Sequence, residues 1–176
     1  GIRTRVEGEV KEPLFLLVSN HRCYADPAVS LQHARAFPVA KAEVADWPII
    51  GFAARATGII FVKRESRQSR RRTVTAIEQS LRAGLSVLIY PEGTTTSLPG
   101  TTQFKLGSFR VAARLGIPVV PCAIDYRDTN MYWVDDDTFL GHVNREFGQW
   151  RIDCRVRYGP AMQNEDPNKL MEECQE

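Results

Sequence analysis

Two residues of this chain have the types and the spacing of an acid–base pair. His21 is followed five positions later by Asp26, in an H-x-x-x-x-D pattern. An imidazole, with an ordinary pKa of about 6.5, can accept a proton at neutral pH, and a carboxylate bonded to its other ring nitrogen fixes the tautomer and stabilises the charged ring. The pattern therefore indicates general-base chemistry if the chain turns back after His21. The alternative is purely structural, because an aspartate before Pro27 is also a good helix cap.

A second polar cluster, Glu92, Gly93 and Thr94, directly follows the apolar segment that ends at Tyr90. Nucleophilic catalysis is not indicated, because the chain has no G-x-S-x-G motif and Cys23 lies too close to His21 in sequence to assume a productive geometry. The four cysteines are far apart and form no C-x-x-C pair, so we expect no zinc site and no other metal site. This cysteine usage favours a reducing, cytosolic-facing compartment.

The segments between these clusters alternate between strand and helix signals. Strands are predicted at 14–18, 59–62, 86–90, 119–124 and 151–158, and helices at 26–35, 46–56, 70–81 and 104–115. Residues 1–13 are expected to lead into the first strand, and residues 163–176 to form a short helix or a frayed end. The prediction is one α/β domain over residues 1–176, with a mostly parallel central sheet flanked by helices and residues 151–158 as an antiparallel edge strand.

The two polar clusters follow two of the predicted strands at their carboxyl ends. Open α/β folds place their sites at this edge of the sheet. We therefore expect His21, Asp26 and Glu92 to lie near one another.

Charge is concentrated in one segment. The net charge of the chain is +2, but residues 63–72 hold six basic residues against Glu65. Such a stripe is usually a solvated helix face, and it also suits phosphate-rich partners such as an anionic lipid surface. We expect no nucleic-acid partner, because interleaved aromatic residues and a recognition motif are both missing. The longest apolar runs are also far shorter than the roughly 20 residues that span a bilayer.

Four sequence blocks occur in a characteristic order. They are NHRCYAD at 20–26, GIIFVKR at 58–64, YPEGT at 90–94 with FKLG behind it at 104–107, and IPVVP at 117–121. In order, spacing and content these blocks resemble the glycerolipid acyltransferase family (PlsC-like), which includes the 1-acylglycerol-3-phosphate and lysophospholipid acyltransferases. The resemblance covers residues 18–125.

The resemblance implies an O-acyltransferase that moves a fatty acyl group from acyl-CoA or acyl-carrier protein to a lysolipid hydroxyl. It makes His21 the general base and Asp26 the group that orients it, with no acyl-enzyme and no cofactor beyond the acyl donor. Residues expected to bind the acceptor are Lys63, Arg64, Glu92, Gly93, Thr94 and Lys105. For Glu92 the alternative is a turn carboxylate held by loop amides.

The resemblance also has implications for location. The family works on lipids, so we expect the protein to contact a membrane surface on the cytoplasmic side. Family members commonly carry a hydrophobic N-terminal segment, and one is expected upstream of Gly1. The competing hypothesis is a catalytically inert lipid-surface module of the same fold, against which the intact His21, Asp26 and Glu92 argue.

Two positions depart from the family pattern. Cys23 stands where serine is usual, which is a small change, and Thr95 stands where the third block commonly has arginine. Loss of a guanidinium that could grip two phosphate oxygens puts recognition of a terminal phosphate in question. The E-G-T-T variant resembles branches that acylate lysophospholipids with capped phosphates, or lyso-ornithine lipid. Lysophosphatidic acid stays open, since Lys105 or the 64–72 cluster can supply a cation.

Overall fold

A seven-stranded sheet forms the centre of the computed structural model, which describes residues 1–42, 45, 59–62, 67–134, 138–146 and 151–176. Its order is β1-β7-β6-β2-β5-β3-β4. All neighbouring strands are parallel except β6 and β7, as the mostly parallel prediction requires. The strands are β1 Ile2–Glu7, β2 Leu16–Ser19, β3 Phe37–Lys41, β4 Ile60–Val62, β5 Val87–Ile89, β6 Val119–Tyr126 and β7 Ile152–Tyr158.

Helices cover both faces of the sheet. In the described residues they are α1 Asp26–Ser30, α2 Arg67–Arg82, α3 Gly107–Leu115, α4 Phe139–Glu146 and α5 Pro167–Gln175. One core lies between the sheet and α2, α3 and α5, where Leu81, Phe109 and Leu170 are buried. The second core lies on the opposite face, where Val29 of α1 packs with alternate residues of β6 and β7.

Sequence periodicity located the central elements well. The predicted strands at 59–62, 86–90, 119–124 and 151–158 and the helices at 70–81 and 104–115 all match described elements within a few residues. The C-terminal helix is also present, and Asp166 caps it by accepting a hydrogen bond from the Asn168 amide. The predicted helix at 46–56 lies outside the described residues.

Two strands were missed. Residues 1–13 contain β1, whose residues Ile2 and Val6 face the core while Arg3 and Arg5 are exposed. The alternation of apolar and polar residues in β1 is too short to predict a strand by itself. Its partner β7 lies at the other end of the chain, so no neighbouring segment indicates the pairing. β3 was missed because Pro38 suggests the end of a helix, whereas it occupies the second position of a strand beside Leu88 of β5.

Two further expectations need correction. The first helix stops at Ser30 instead of continuing to residue 35, because the hydroxyl of Tyr158 donates to the Ser30 carbonyl at 2.8 Å and takes the place of a further helical amide. Strand 151–158 is antiparallel to β6 as predicted, but it is not at the edge, because β1 pairs with its outer side. Within the described residues, no helix combines the length and the apolar character needed to cross a membrane.

Candidate active site

The site begins where β2 ends and β6 continues. β2 pairs with β6 as far as Ser19 and Cys122, and β6 extends to Tyr126. The side chain of Asn20 continues the ladder: its Nδ2 donates to the Ile124 carbonyl at 2.8 Å and its Oδ1 accepts from the Ile124 amide at 2.7 Å. This side-chain amide satisfies the backbone of β6 and lets the chain leave the sheet at His21.

His21 and Asp26 form a hydrogen-bonded pair. His21 Nδ1 lies 2.7 Å from Asp26 Oδ2. The Asp26 side chain is completely buried, and that of His21 is 23% exposed. Because a carboxylate can only accept, the proton lies on Nδ1 and the lone pair on Nε2. Among the described residues, nothing bonds to Nε2.

The turn after His21 is organised around the Asp26 carboxylate. Oδ2 accepts the backbone N–H groups of Arg22 at 2.5 Å and Cys23 at 2.9 Å, and Oδ1 accepts the Tyr126 hydroxyl at 2.9 Å. The cap position of α1 is Ala25, and no side chain caps the helix. The expectation that Asp26 caps the helix is therefore wrong, because Oδ2 accepts from the 21–23 turn and Oδ1 from Tyr126 of β6, and neither oxygen accepts an amide of α1.

The imidazole is also held from below. Its ring stacks on Tyr90, which follows β5, with centroids 4.1 Å apart and planes 18° from parallel. Tyr90 is itself buried, and its hydroxyl lies 3.3 Å from the Ser30 hydroxyl. Contacts to Asp26 and Tyr90 thus fix both the position and the plane of the ring.

Cys23 is not available as a nucleophile. It is fully buried, and its thiol donates weakly to the Tyr126 hydroxyl at 3.5 Å. Burial raises the pKa of this thiol far above its ordinary value, and the nearby Asp26 charge raises it further. The protonated sulfur therefore supports the turn as a small apolar group, and all four cysteines of the chain are buried and free of disulfides.

Glu92 connects the two loops of the site. Its Oε1 accepts the His21 amide at 2.9 Å, and its Oε2 accepts the amide and the hydroxyl of Thr102 at 2.9 and 2.8 Å. Its side chain is buried. This is the arrangement of a turn carboxylate held by loop donors, and a direct contact of Glu92 with an acceptor stays a prediction.

The remaining predicted binding residues fall into two groups. Gly93 has a φ of 79°, and a β-carbon there would overlap Nζ of Lys105, so glycine lets this amine lie against the loop backbone. Thr94 is exposed on the same loop. Lys63 and Arg64 lie outside the described residues. The structure thus brings His21, Asp26, Glu92, Gly93 and Lys105 to one edge of the sheet.

The buried Arg22, to which the sequence assigned no role, holds the loop at residues 96–100 in place. Arg22 donates from Nη1 to the carbonyls of Thr96 and Leu98 at 2.8 and 2.9 Å, and from Nη2 to that of Gly100 at 2.6 Å. The Thr96 amide in turn donates to the His21 carbonyl at 3.1 Å. Sequence reasoning also missed Asn20, Tyr90 and Tyr126, although the buried alternation Cys122, Ile124, Tyr126 could have located the last one.

The arrangement suits proton abstraction at one point. An Nε2 lone pair, backed by a buried carboxylate and pointing away from it, can accept a proton from a ligand at the carboxyl edge of the sheet. The fixed ring plane and the tied loops mean that little reorganisation is needed when the proton moves.

The structural role of Glu92 can be tested by unfolding. Glu92→Gln places an amide donor against a donor of either His21 or Thr102, so we expect the free energy of unfolding to fall by about 1–3 kcal/mol in urea titrations. The matched control is Glu78→Gln on α2, where the carboxylate pairs with Arg82 and Arg114 at the surface and its loss is expected to cost less than about 1 kcal/mol. Equal losses in the two variants would contradict the role of Glu92 as a connector.

Comparison with known proteins adds independent evidence on the family. A model of the Acyltransferase family matches residues 3–125. The chain is 35% identical over 146 residues to the lyso-ornithine lipid O-acyltransferase of Pseudomonas aeruginosa, covering 80% of this chain and 56% of that protein. It is 36% identical over 160 residues to the enzyme of the same name from Rhizobium meliloti, covering 85% and 52%.

Two more distant matches are also acyltransferases. The 1-acyl-sn-glycerol-3-phosphate acyltransferase of Neisseria gonorrhoeae is 32% identical over 114 residues, covering 64% of this chain and 44% of that protein. The crystal structure of the acyltransferase PlsC from Thermotoga maritima shares the fold with a TM-score of 0.63 at 23% identity, covering 98% of this chain and 68% of that one. The chain spans about half the length of the lyso-ornithine lipid acyltransferases it matches. The family model matches more than half of the chain, as the sequence blocks predict, and the chain belongs to the acyltransferase family.

Proposed function

We propose that this protein transfers a fatty acyl group from a thioester donor to the hydroxyl of a lysolipid. His21 Nε2 takes the hydroxyl proton while the oxygen attacks the thioester carbonyl carbon. The C–S bond then breaks, and the leaving thiolate receives the proton from the imidazolium. The products are the acylated lipid and a free thiol, and His21 returns to its starting state.

The His21–Asp26 contact carries this proposal. An alcohol is a poor nucleophile at neutral pH, and a positioned base typically contributes about 10²–10⁴-fold to the rate. The exposed part of His21 and its bond to a completely buried carboxylate meet that need. An inert lipid-binding module of the same fold has no use for a histidine held in this way.

The acyl donor is proposed to be acyl-CoA or acyl-carrier protein, with no metal or other cofactor. The buried, protonated Cys23 supports direct transfer without an acyl-enzyme. The thioester itself supplies the activated carbonyl, so base catalysis and positioning suffice.

For the acceptor we favour a lysolipid without a terminal phosphate, such as lyso-ornithine lipid. The Pseudomonas and Rhizobium relatives bear that name, and they align with more of this chain than the Neisseria enzyme does. Thr95 supports this choice, because it precedes Thr96, whose amide donates to the His21 carbonyl, so the loop that carries position 95 contacts the backbone of His21. A neutral threonine there offers no fork for a phosphomonoester.

The protein is proposed to work on a membrane surface, on the cytoplasmic side. Arg70, Arg71 and Arg72 are exposed on the first turns of α2, where no acidic residue accompanies them. Arg70 lies in the first turn, where a cation opposes the helix dipole, so its charge does not serve helix stability. Each arginine near an anionic lipid surface would contribute about 1 kcal/mol to the free energy of membrane binding.

Replacement of the base tests the mechanism. We expect His21→Ala to lower kcat by about 10²–10⁴-fold, measured as thiol release from acyl-CoA that depends on added lysolipid. The control is His33→Ala, which removes an exposed histidine outside the site and should leave turnover unchanged. Melting temperatures of both variants establish that they fold. Activity of His21→Ala within a few-fold of the wild type would refute the mechanism, and a wild type that releases no thiol would favour the inert module.

Acceptor preference tests the role of position 95. Thr95→Arg should raise kcat/KM for lysophosphatidic acid relative to lyso-ornithine lipid by about tenfold or more, because one charge-assisted hydrogen bond contributes about 1.5–3 kcal/mol. Ser97→Arg adds the same charge to an exposed position of the same loop and should not change the ratio. A wild-type protein that prefers lysophosphatidic acid by about a hundredfold would contradict the acceptor proposal.

Vesicle sedimentation tests the membrane contact. The protein should bind vesicles containing phosphatidylglycerol, lose binding at high salt, and bind pure phosphatidylcholine poorly. Joint replacement of Arg70, Arg71 and Arg72 by glutamine should weaken binding at least about tenfold. The control replaces three exposed arginines elsewhere, Arg3, Arg110 and Arg127, by glutamine. Equal weakening in both triple variants, or equal binding to both lipids, would exclude this stripe as the contact.

A further inference from the structure

Tyr126 is a buried residue that lies beneath the acid–base pair and has no assigned role. It is the last residue of β6, on the part of that strand that extends beyond β2. Its side chain is 2% exposed. Its hydroxyl donates to Asp26 Oδ1 at 2.9 Å and accepts the weak bond from the Cys23 thiol.

We propose that Tyr126 is a positioning residue of the proposed reaction, acting through Asp26 to orient His21 and to limit its proton affinity. This inference rests on the proposed function for its kinetic consequences. Its structural basis is the contact between the Tyr126 hydroxyl and the carboxylate oxygen that His21 does not touch.

The partners of the two carboxylate oxygens explain the orienting effect. Oδ2 takes His21 Nδ1 and two amides, all from the 21–23 turn. Oδ1 takes Tyr126, which belongs to the sheet. Rotation of an aspartate carboxylate is only weakly restricted by its own torsion. The Tyr126 hydroxyl therefore fixes the carboxylate plane relative to the sheet, and with it the direction of the imidazole.

The same hydrogen bond affects proton affinity. Burial raises the pKa of Tyr126 far above its ordinary value, and the Asp26 charge adds to this, so the phenol keeps its proton and remains a donor. A donated O–H stabilises the negative charge of Asp26 and makes it a weaker partner for an imidazolium. Removal of the hydroxyl concentrates the charge on the bond to His21, so His21 holds its proton up to a higher pH.

The neighbouring thiols and phenols do not obscure the effect of Tyr126 on the protonation of His21. Those that face the pair from the surrounding elements are Arg22, Cys23, Tyr90, Glu92, Cys122, Tyr132 and Cys154. For the thiols and phenols among them, burial is the largest cause and raises each pKa. None of these thiols and phenols therefore loses its proton in the range where an imidazole titrates.

Tyr158 provides a matched control. It lies on β7, is 4% exposed, and its hydroxyl donates to the Ser30 carbonyl at 2.8 Å. Tyr158→Phe removes a buried phenol hydroxyl and its bond to the Ser30 carbonyl, and, unlike Tyr126→Phe, it removes no donor from the Asp26 carboxylate. A purely structural contribution of a buried tyrosine hydroxyl should therefore be the same in both variants.

The experiment compares wild type, Tyr126→Phe and Tyr158→Phe from about pH 5 to about pH 9 (about two units on each side of neutrality), with acyl-CoA and lyso-ornithine lipid. We expect similar small losses in melting temperature. Only Tyr126→Phe should lower kcat by about tenfold, with KM values within about twofold, and move the acid limb of kcat/KM upward by about half a pH unit or more. In an Asp26→Asn background, Tyr126→Phe should cost little further activity, because the two residues act as one unit.

Titration of the His21 ring by NMR gives a readout that does not need turnover. Its midpoint should rise in Tyr126→Phe and stay unchanged in Tyr158→Phe. If the wild type has no transferase activity, the proposed function fails while this titration still decides the role of Tyr126. The inference is overturned by an unchanged His21 midpoint, by equal kinetic losses in the two variants, or by a Tyr126→Phe protein that fails to fold when Tyr158→Phe folds.

Discussion

A completely buried carboxylate is the constraint around which this site is organised. Asp26 has no exposed surface, and an anion in that position is stable only if donors surround it. The turn at residues 21–23 supplies amides, the ring of His21 supplies a third N–H, and β6 supplies a phenol. The geometry that presents His21 Nε2 is therefore a consequence of satisfying Asp26.

The loops of the site are held by charges that bond to backbone. Glu92 accepts N–H and O–H groups from the turn at His21 and from the loop at Thr102. Arg22 donates to the carbonyls of every second residue from 96 to 100 in the second of these loops. These loops have no ladder partners, so their buried polar groups need side-chain partners instead. Glu92 and Arg22 thus satisfy the backbone of the two loops that flank His21. The contacts of Glu92 are with the His21 amide and with Thr102, so this motif residue holds the loops of the site together.

The course of β6 connects the fold to the chemistry. Its first half pairs with β2 and its second half with β7, so the strand extends past the point where β2 turns into the site. Asn20 closes the gap left by β2, and Tyr126 reaches under Asp26 from the end of the same strand. The antiparallel pairing with β7 stabilises this extension. The addition of β1 outside β7 then covers the edge that would otherwise be left open.

The sequence by itself determined the fold class, most strands of the sheet and the long helices, and it placed the candidate residues His21, Asp26 and Glu92 at one edge of the sheet. These follow from short-range rules: periodicity marks buried faces, and a strand end followed by His21 or Glu92 marks a site edge. Only the tertiary structure decided what each motif residue contacts. The course of the chain between residues 21 and 26 decides whether Asp26 caps the helix or bonds to His21. Tyr126 reaches Asp26 only because β6 continues beyond the end of β2. Pairing of β1 with β7 joins the two ends of the chain, and no local pattern encodes a partner about 150 residues away.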